Sequence, residues 1–173
     1  FRMVPLFTAM EKTFNFKVLG CRMNHAEQRE MESVLRSRGL TPSIDSPDIE
    51  VVHTCSVTGQ AAAKSRNAIR RARKNGKTVF VTGCFTGTDP DVAQELGDVI
   101  VKQEGDIPMI ERFAQSVDAY LERPSSEANQ RPETISLPIA TLPTTKANHV
   151  RAELRIQDGC DAHCTFCIIP KIR

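Results

Sequence analysis

Thr78-Val79-Phe80-Val81-Thr82-Gly83-Cys84 decides the architecture of this chain. Val79-Phe80-Val81 is short, continuous and apolar, the pattern of a strand covered on both faces in a parallel sheet. It runs into a glycine and then a thiol. Upstream, Ile49, Val51 and Val52 make a second short strand that delivers Thr54-Cys55-Ser56. Further back, residues 14–20, Phe-Asn-Phe-Lys-Val-Leu-Gly, make a third that delivers Cys21. Three predicted strands thus place a cysteine at the same point, the exit.

Helical patterns fill the intervals. Met31, Val34 and Leu35 form an apolar stripe, with Asn24 and Glu27 spaced as a cap at one end and Gly39 as a stop at the other. Pro42 and Pro47 mark a loop. An alanine-rich basic stretch from Thr58 to Asn75, closed by Gly76, predicts a second helix. Asp89-Pro90 starts a third, with Val92, Ala93 and Leu96 inward and Gly97 as its stop. Val99-Ile100-Val101 is a last short strand, and Asp106 opens a helix carrying Ile110, Phe113, Ala114, Val117 and Leu121 on one face. This alternation predicts an α/β domain over 14–122, after a leader at 1–13: a parallel sheet with helices on both faces, right-handed crossovers, and a Rossmann-like or flavodoxin-like arrangement. Pro124, Pro132, Pro138 and Pro143 among polar residues make 123–148 a linker. Val150 to Ile156 then reads as one further strand, within a second unit at 149–173.

At 173 residues there is room for one ordinary domain and an appendage. The six cysteines fall into two groups of three, whereas a secreted disulfide scaffold would be small and loop-rich, so a reducing cytoplasm is expected. The apolar run in Phe1–Met10 is broken by Pro5 and carries no small-residue cleavage site, and no stretch approaches a membrane span. A net charge of +2 says little, but its distribution says more. From Val51 to Thr88 there is no acidic residue, while Lys64, Arg66, Arg70, Arg71, Arg73, Lys74 and Lys77 accumulate, enough to engage RNA phosphates. The competing reading is a solvated helix face. No aromatic residues are interleaved, so shape and charge would be read, not base sequence.

The other three cysteines lie in Cys160-Asp161-Ala162-His163-Cys164-Thr165-Phe166-Cys167-Ile168-Ile169-Pro170, three thiols within one chelating loop. Three thiolates can hold three irons of a cubic four-iron, four-sulfur cluster, leaving the fourth iron open to a small molecule. Structural zinc is the alternative, and it needs four ligands in a tetrahedron. The available fourth ligand, His163, adjoins Cys164, and neighbouring side chains diverge. Cys21, Cys55 and Cys84 are too far apart in sequence for spacing to nominate them. Their position does so, because the carboxyl ends of parallel strands converge on one edge, where three thiols could share a second cluster. Against this stands the reading of small buried residues at strand ends.

Cys-x-x-x-Cys-x-Phe166-Cys resembles the signature of the radical S-adenosylmethionine (SAM) enzymes. Val150-Arg151-Ala152-Glu153-Leu154-Arg155-Ile156-Gln157-Asp158-Gly159 before it and Ile168-Ile169-Pro170 after it are similar to the methylthiotransferases of that superfamily. Leu19-Gly20-Cys21-Arg22-Met23-Asn24, Thr54-Cys55-Ser56-Val57-Thr58 and Val81-Thr82-Gly83-Cys84 resemble the three cluster-binding segments of their N-terminal domain. The resemblance implies two four-iron, four-sulfur clusters, on Cys160, Cys164 and Cys167 and on Cys21, Cys55 and Cys84. It implies SAM as cosubstrate, with Phe166 near its adenine, and an electron donor such as a flavodoxin or ferredoxin. It also implies that Val150–Ile156 opens a radical SAM barrel of the partial TIM type. Only six residues follow Cys167, too few for that barrel, so the chain reads as an N-terminal fragment, inactive by itself.

Cys55-Ser56-Val57-Thr58, with Lys64-Ser65-Arg66 and Ile69-Arg70-Arg71-Ala72, is most similar to the subfamily that acts on N6-threonylcarbamoyladenosine in tRNA. The implied reaction has SAM yield a 5′-deoxyadenosyl radical that takes hydrogen from C2 of this nucleoside, beside the anticodon at position 37, where a methylthio group is added. Met23 is also found in the isopentenyladenosine subfamily, and ribosomal-protein methylthiotransferases are a third candidate. From another class, the fragment could be a non-catalytic metal- or RNA-binding module.

Overall fold

The computed structural model describes residues 12–102, 107–123 and 155–172. Its strands are β1 (Thr13–Val18), β2 (Thr41–Pro42), β3 (Ile49–Thr54), β4 (Thr78–Gly83) and β5 (Val99–Val101), all parallel and ordered β2-β1-β3-β4-β5. This is the flavodoxin-like order of a doubly wound sheet, and the winding reverses between β1 and β3. Helices α1 (Arg22–Ser37), α2 (Gly59–Lys74), α3 (Cys84–Thr88), α4 (Pro90–Leu96), α5 (Met109–Leu121) and α6 (Ile169–Ile172) complete the described elements.

Strands β3, β4 and β5 have a core on either side, whereas β1 faces a core through Phe14 and Phe16 only, and its sequence alternates with Asn15 and Lys17. Ile49, Val51, Phe80, Val99 and Val101 join Met31, Val34 and Leu35 of α1 and Phe113 and Val117 of α5. Val52, Val79 and Val81 join Ile69 and Ala72 of α2 and Ala93 of α4. Phe80 meets Phe113 and Tyr120 edge to face, at ring centroid distances of 6.1 and 5.5 Å. A two-pronged Arg38–Asp118 pair, at 2.8 and 2.9 Å, ties the end of α1 to α5.

Several expectations need correction. Asn24 and Glu27 do not cap α1: its N-cap is Cys21, and both residues point into the protein, 0% and 1% exposed. Helix spacing alone cannot tell a cap from an inward polar pair. Pro42, read as loop, belongs to edge strand β2, where a residue without an N–H is tolerated. The helix α3 that begins at Cys84 was not foreseen. Helix α5 begins at Met109, while Asp106 lies outside the described residues. So do residues 1–11 of the leader expected at 1–13, whose Thr13 belongs instead to β1, and residues 124–148 of the linker expected at 123–148; of the strand expected at Val150–Ile156, only Arg155 and Ile156 are described, both irregular.

Candidate metal centre

The register carries three cysteines to one edge of the sheet. Thr54 stands opposite Gly83, so one place further on Cys55 and Cys84 stand side by side. Val18 stands opposite His53, so Gly20 comes level with Cys55 and Cys21 lies one residue beyond. Neighbouring strands are about 4.8 Å apart, so the three exits fall within the span of a few strands. Cys21 and Cys55 leave the two strands that flank the winding reversal, where doubly wound sheets bind their ligands.

Two glycines let these exits close up. A Cβ on Gly20, at φ +111°, would lie 2.7 Å from the Cys55 Cβ and 3.0 Å from its Sγ. One on Gly83, at φ +91°, would lie 2.5 Å from the Thr54 carbonyl and 2.9 Å from its nitrogen. Hydrogen bonds then lock the loops together. Asn24 Nδ2 donates to the carbonyls of Leu19 (2.7 Å) and Thr54 (2.9 Å), bridging the first two exits, and the Cys21 thiol donates to Asn24 Oδ1 at 3.5 Å. Ser65 Oγ on α2 donates to the Cys55 carbonyl and accepts from the Cys55 nitrogen, at 2.8 and 3.1 Å. Thr54 Oγ1 donates to the Thr82 carbonyl and accepts from the Phe85 nitrogen, joining the second exit to the third.

Glu27 Oε2 lies 2.8 Å from His53 Nε2, both residues fully enclosed. Arg155 reaches the same helix from the C-terminal segment, 2.8 Å from Glu30 and 3.8 Å from Glu27. The far end of that segment is held by Ile172, 8% exposed, against Gly87 of α3. Between these anchors the cysteine loop is largely in solvent: Cys164 and Cys167 are exposed, Cys160 half-buried and Phe166 100% exposed. A turn closed by the Cys167 nitrogen on the Cys164 carbonyl, 3.1 Å, and Gly159 at φ +74° shape it. Sequence reasoning missed Asn24, Glu27, His53 and Arg155 in these roles. The signal was a histidine directly after the apolar pair Val51-Val52 in β3.

The seven cations, six on α2 and Lys77 beyond its end, divide. Arg66 lies 3.9 Å from Asp89 and over the Phe85 ring, Arg73 donates to the Glu95 carbonyl, and Lys77 pairs with Glu50 at 3.1 Å. Lys64, Arg70, Arg71 and Lys74 are exposed and make no ion pair among the described residues. They follow the helix face opposite the buried Ser65, Ile69 and Ala72.

No cysteine is in a disulfide. Among the described residues no three His, Cys, Asp or Glu side chains are gathered as one metal ion requires, and tetrahedral zinc requires four. A cubic cluster takes each thiolate on a separate iron, so its ligands approach from separate corners. Three cysteines on three converging loops fit that demand, with Cys21 at the N-terminus of the 16-residue α1, whose dipole favours an anionic group.

Three neighbouring strand exits of a parallel α/β domain thus each carry one cysteine, and a three-cysteine loop lies further along the chain. Residues 13–102 match the model of Uncharacterized protein family UPF0004. The Threonylcarbamoyladenosine tRNA methylthiotransferase MtaB of Bacillus subtilis (strain 168) is 33% identical over 174 residues, covering 93% of this chain and 36% of the relative. The Ribosomal protein uS12 methylthiotransferase RimO of Haemophilus ducreyi is 33% identical over 160 residues (91% and 34%), and that of Shewanella sp. (strain MR-4) 30% over 168 residues (96% and 34%). The chain belongs to this methylthiotransferase family and spans about a third of the length of these curated relatives. Among the described residues no helix is long and apolar enough to cross a membrane.

Proposed function

We propose that the whole protein is a cytoplasmic radical SAM methylthiotransferase that modifies C2 of N6-threonylcarbamoyladenosine in tRNA, at position 37 beside the anticodon. The observation that carries this reading is the convergence of Cys21, Cys55 and Cys84 on the edge to which the Cys160–Cys167 segment is also anchored. Cys160, Cys164 and Cys167 would hold one four-iron, four-sulfur cluster, and the sheet-edge cysteines the other. When bound, these groups supply, with SAM and an electron from a flavodoxin or ferredoxin, the radical that opens the C2–H bond and the sulfur that replaces the hydrogen.

The chain's own residues prepare that chemistry. Gly20 and Gly83 clear the space between exits, and Asn24, Thr54 and Ser65 fix the loops that carry the thiols. Phe166 offers an exposed ring on which the adenine of SAM would stack. Lys64, Arg70, Arg71 and Lys74 would meet tRNA phosphates, joined by Arg66 and Arg73 if the substrate displaces their internal contacts. These exposed cations, with the Cys55-Ser56-Val57-Thr58 segment, favour a tRNA. The uS12 relatives support a second reading, a ribosomal-protein substrate.

Anaerobic reconstitution with iron and sulfide tests the site. Two clusters are expected, one lost on changing Cys21, Cys55 and Cys84 to serine and the other on changing Cys160, Cys164 and Cys167. A single bound zinc would instead indicate a non-catalytic module. Full-length protein offered N6-threonylcarbamoyladenosine tRNA, isopentenyladenosine tRNA or uS12 then identifies the substrate: methylthiolation of uS12 alone would overturn the tRNA reading.

A further inference from the structure

Glu27 and His53 are 1% and 0% exposed, and neither is a candidate ligand. Burying such groups costs far more than burying an apolar pair of the same size unless their contacts do something packing cannot. Their placement indicates what that is. His53 lies in β3 two residues before Cys55, and its Nε2 is 2.8 Å from Glu27 Oε2. The other carboxylate oxygen, Oε1, is 3.8 Å from Arg155 Nη1, and Arg155 stands five residues before Cys160. Arg155 is further held by Glu30 at 2.8 Å and by Asp158 of its own segment at 3.4 Å. One carboxylate on α1 therefore touches both the strand that delivers Cys55 and the segment that delivers Cys160.

We propose that Glu27 is a positioning residue that fixes the separation of the two cysteine triads, through His53 on one side and Arg155 on the other. The inference rests on the two-cluster reading, and its chemical sense is geometric. A sulfur held at one triad must reach an atom activated at the other, and an error of an ångström in such a transfer is costly. The Glu27–His53 contact is of hydrogen-bond length and so fixes direction as well as distance, while at 3.8 Å Glu27 draws Arg155 by charge alone and the hydrogen bond to Glu30 orients it.

The test uses the full chain, reconstituted anaerobically with both clusters reduced, and reads the magnetic broadening that each cluster imposes on the other's paramagnetic resonance spectrum. Glu27→Gln and Arg155→Met should keep full iron and sulfide content yet lose most of the broadening, and Arg155→Lys should restore much of it. Equal broadening in wild type and Arg155→Met at equal loading overturns the proposal, as does a wild type with two clusters and no broadening. Should Glu27→Gln fail to fold, Arg155→Met carries the test, because its side chain sits at the rim, 17% exposed. If the wild type does not assemble two clusters, the functional reading fails, and the bridge is decided on the metal-free chain. Amide exchange over residues 159–172 should then be about tenfold faster in Arg155→Met, the effect of losing one charge-assisted hydrogen bond; unchanged exchange overturns the bridge.

Discussion

Cys55 and Cys84 lie in the protein interior at the end of a sheet, 8% and 4% exposed, whereas Cys164 and Cys167 stand in solvent on an irregular loop. The first set is distant in sequence and brought together by strand register. The second is adjacent in sequence and brought together by nothing more than a turn. The difference teaches that burial at the sheet edge sets the positions of Cys55 and Cys84, with Cys21 exposed beside them, while the loop would, on the proposed reading, leave its ordering to a bound cluster.

The sharpest way to break this contrast is to place a methyl group on a glycine in each region. Gly83→Ala forces a Cβ against the Thr54 backbone at a φ that other residues avoid, so a loss of about 3 kcal/mol or more is expected in urea unfolding. Gly159→Ala, at φ +74° in the loop, should cost only about 1 kcal/mol. Comparable losses would mean that the loop is as integral to the fold as the sheet edge.

Serine substitutions probe the same contrast more gently in metal-free protein. Cys84→Ser puts a hydroxyl in a buried site and should destabilise by about 1–3 kcal/mol, while Cys164→Ser should fall within about 0.5 kcal/mol of wild type. Reconstitution should then reverse the ranking in hydrogen exchange. Amides from Cys160 to Cys167 gain at least tenfold protection when metal binds, and those of β3 and β4 change little. Equal gains in both regions would refute a preformed sheet edge.

The smallest effect concerns Glu30, where the two regions meet. Burial raises its carboxyl above the ordinary 4.5, Arg155 opposes this, and Glu27 and Asp158 add to it. The folded chain thus holds this proton more tightly than the unfolded chain. Its contribution is complete below 4.5 and is lost as pH rises above that value through the folded-state pKa. Glu30→Gln should flatten that part of the stability-against-pH curve, and an unaltered slope would show that Glu30 is solvated and uncoupled from Arg155.

How much was legible follows from the range of each interaction. Apolar runs such as Val79-Phe80-Val81 announce themselves, because a strand covered on both faces has no use for polar residues. Asn24 and Glu27 were legible as a helix start but not as inward groups, because their partners, Thr54 and His53, are 30 and 26 residues away. Edge strand β2 was hidden by its proline, and α3 by its length of five residues.

By itself the sequence determined the alternation of the longer strands and helices, without β2 and α3, the glycine before each of Cys21 and Cys84, and the chelating spacing from Cys160 to Cys167, since all are local properties of the chain. Only the tertiary structure decided which strands are neighbours, that Cys55 and Cys84 emerge side by side, and that a carboxylate on α1 touches both cysteine-bearing regions. Register and buried polar contacts depend on residues far apart in the chain, and no local pattern encodes the distance between them.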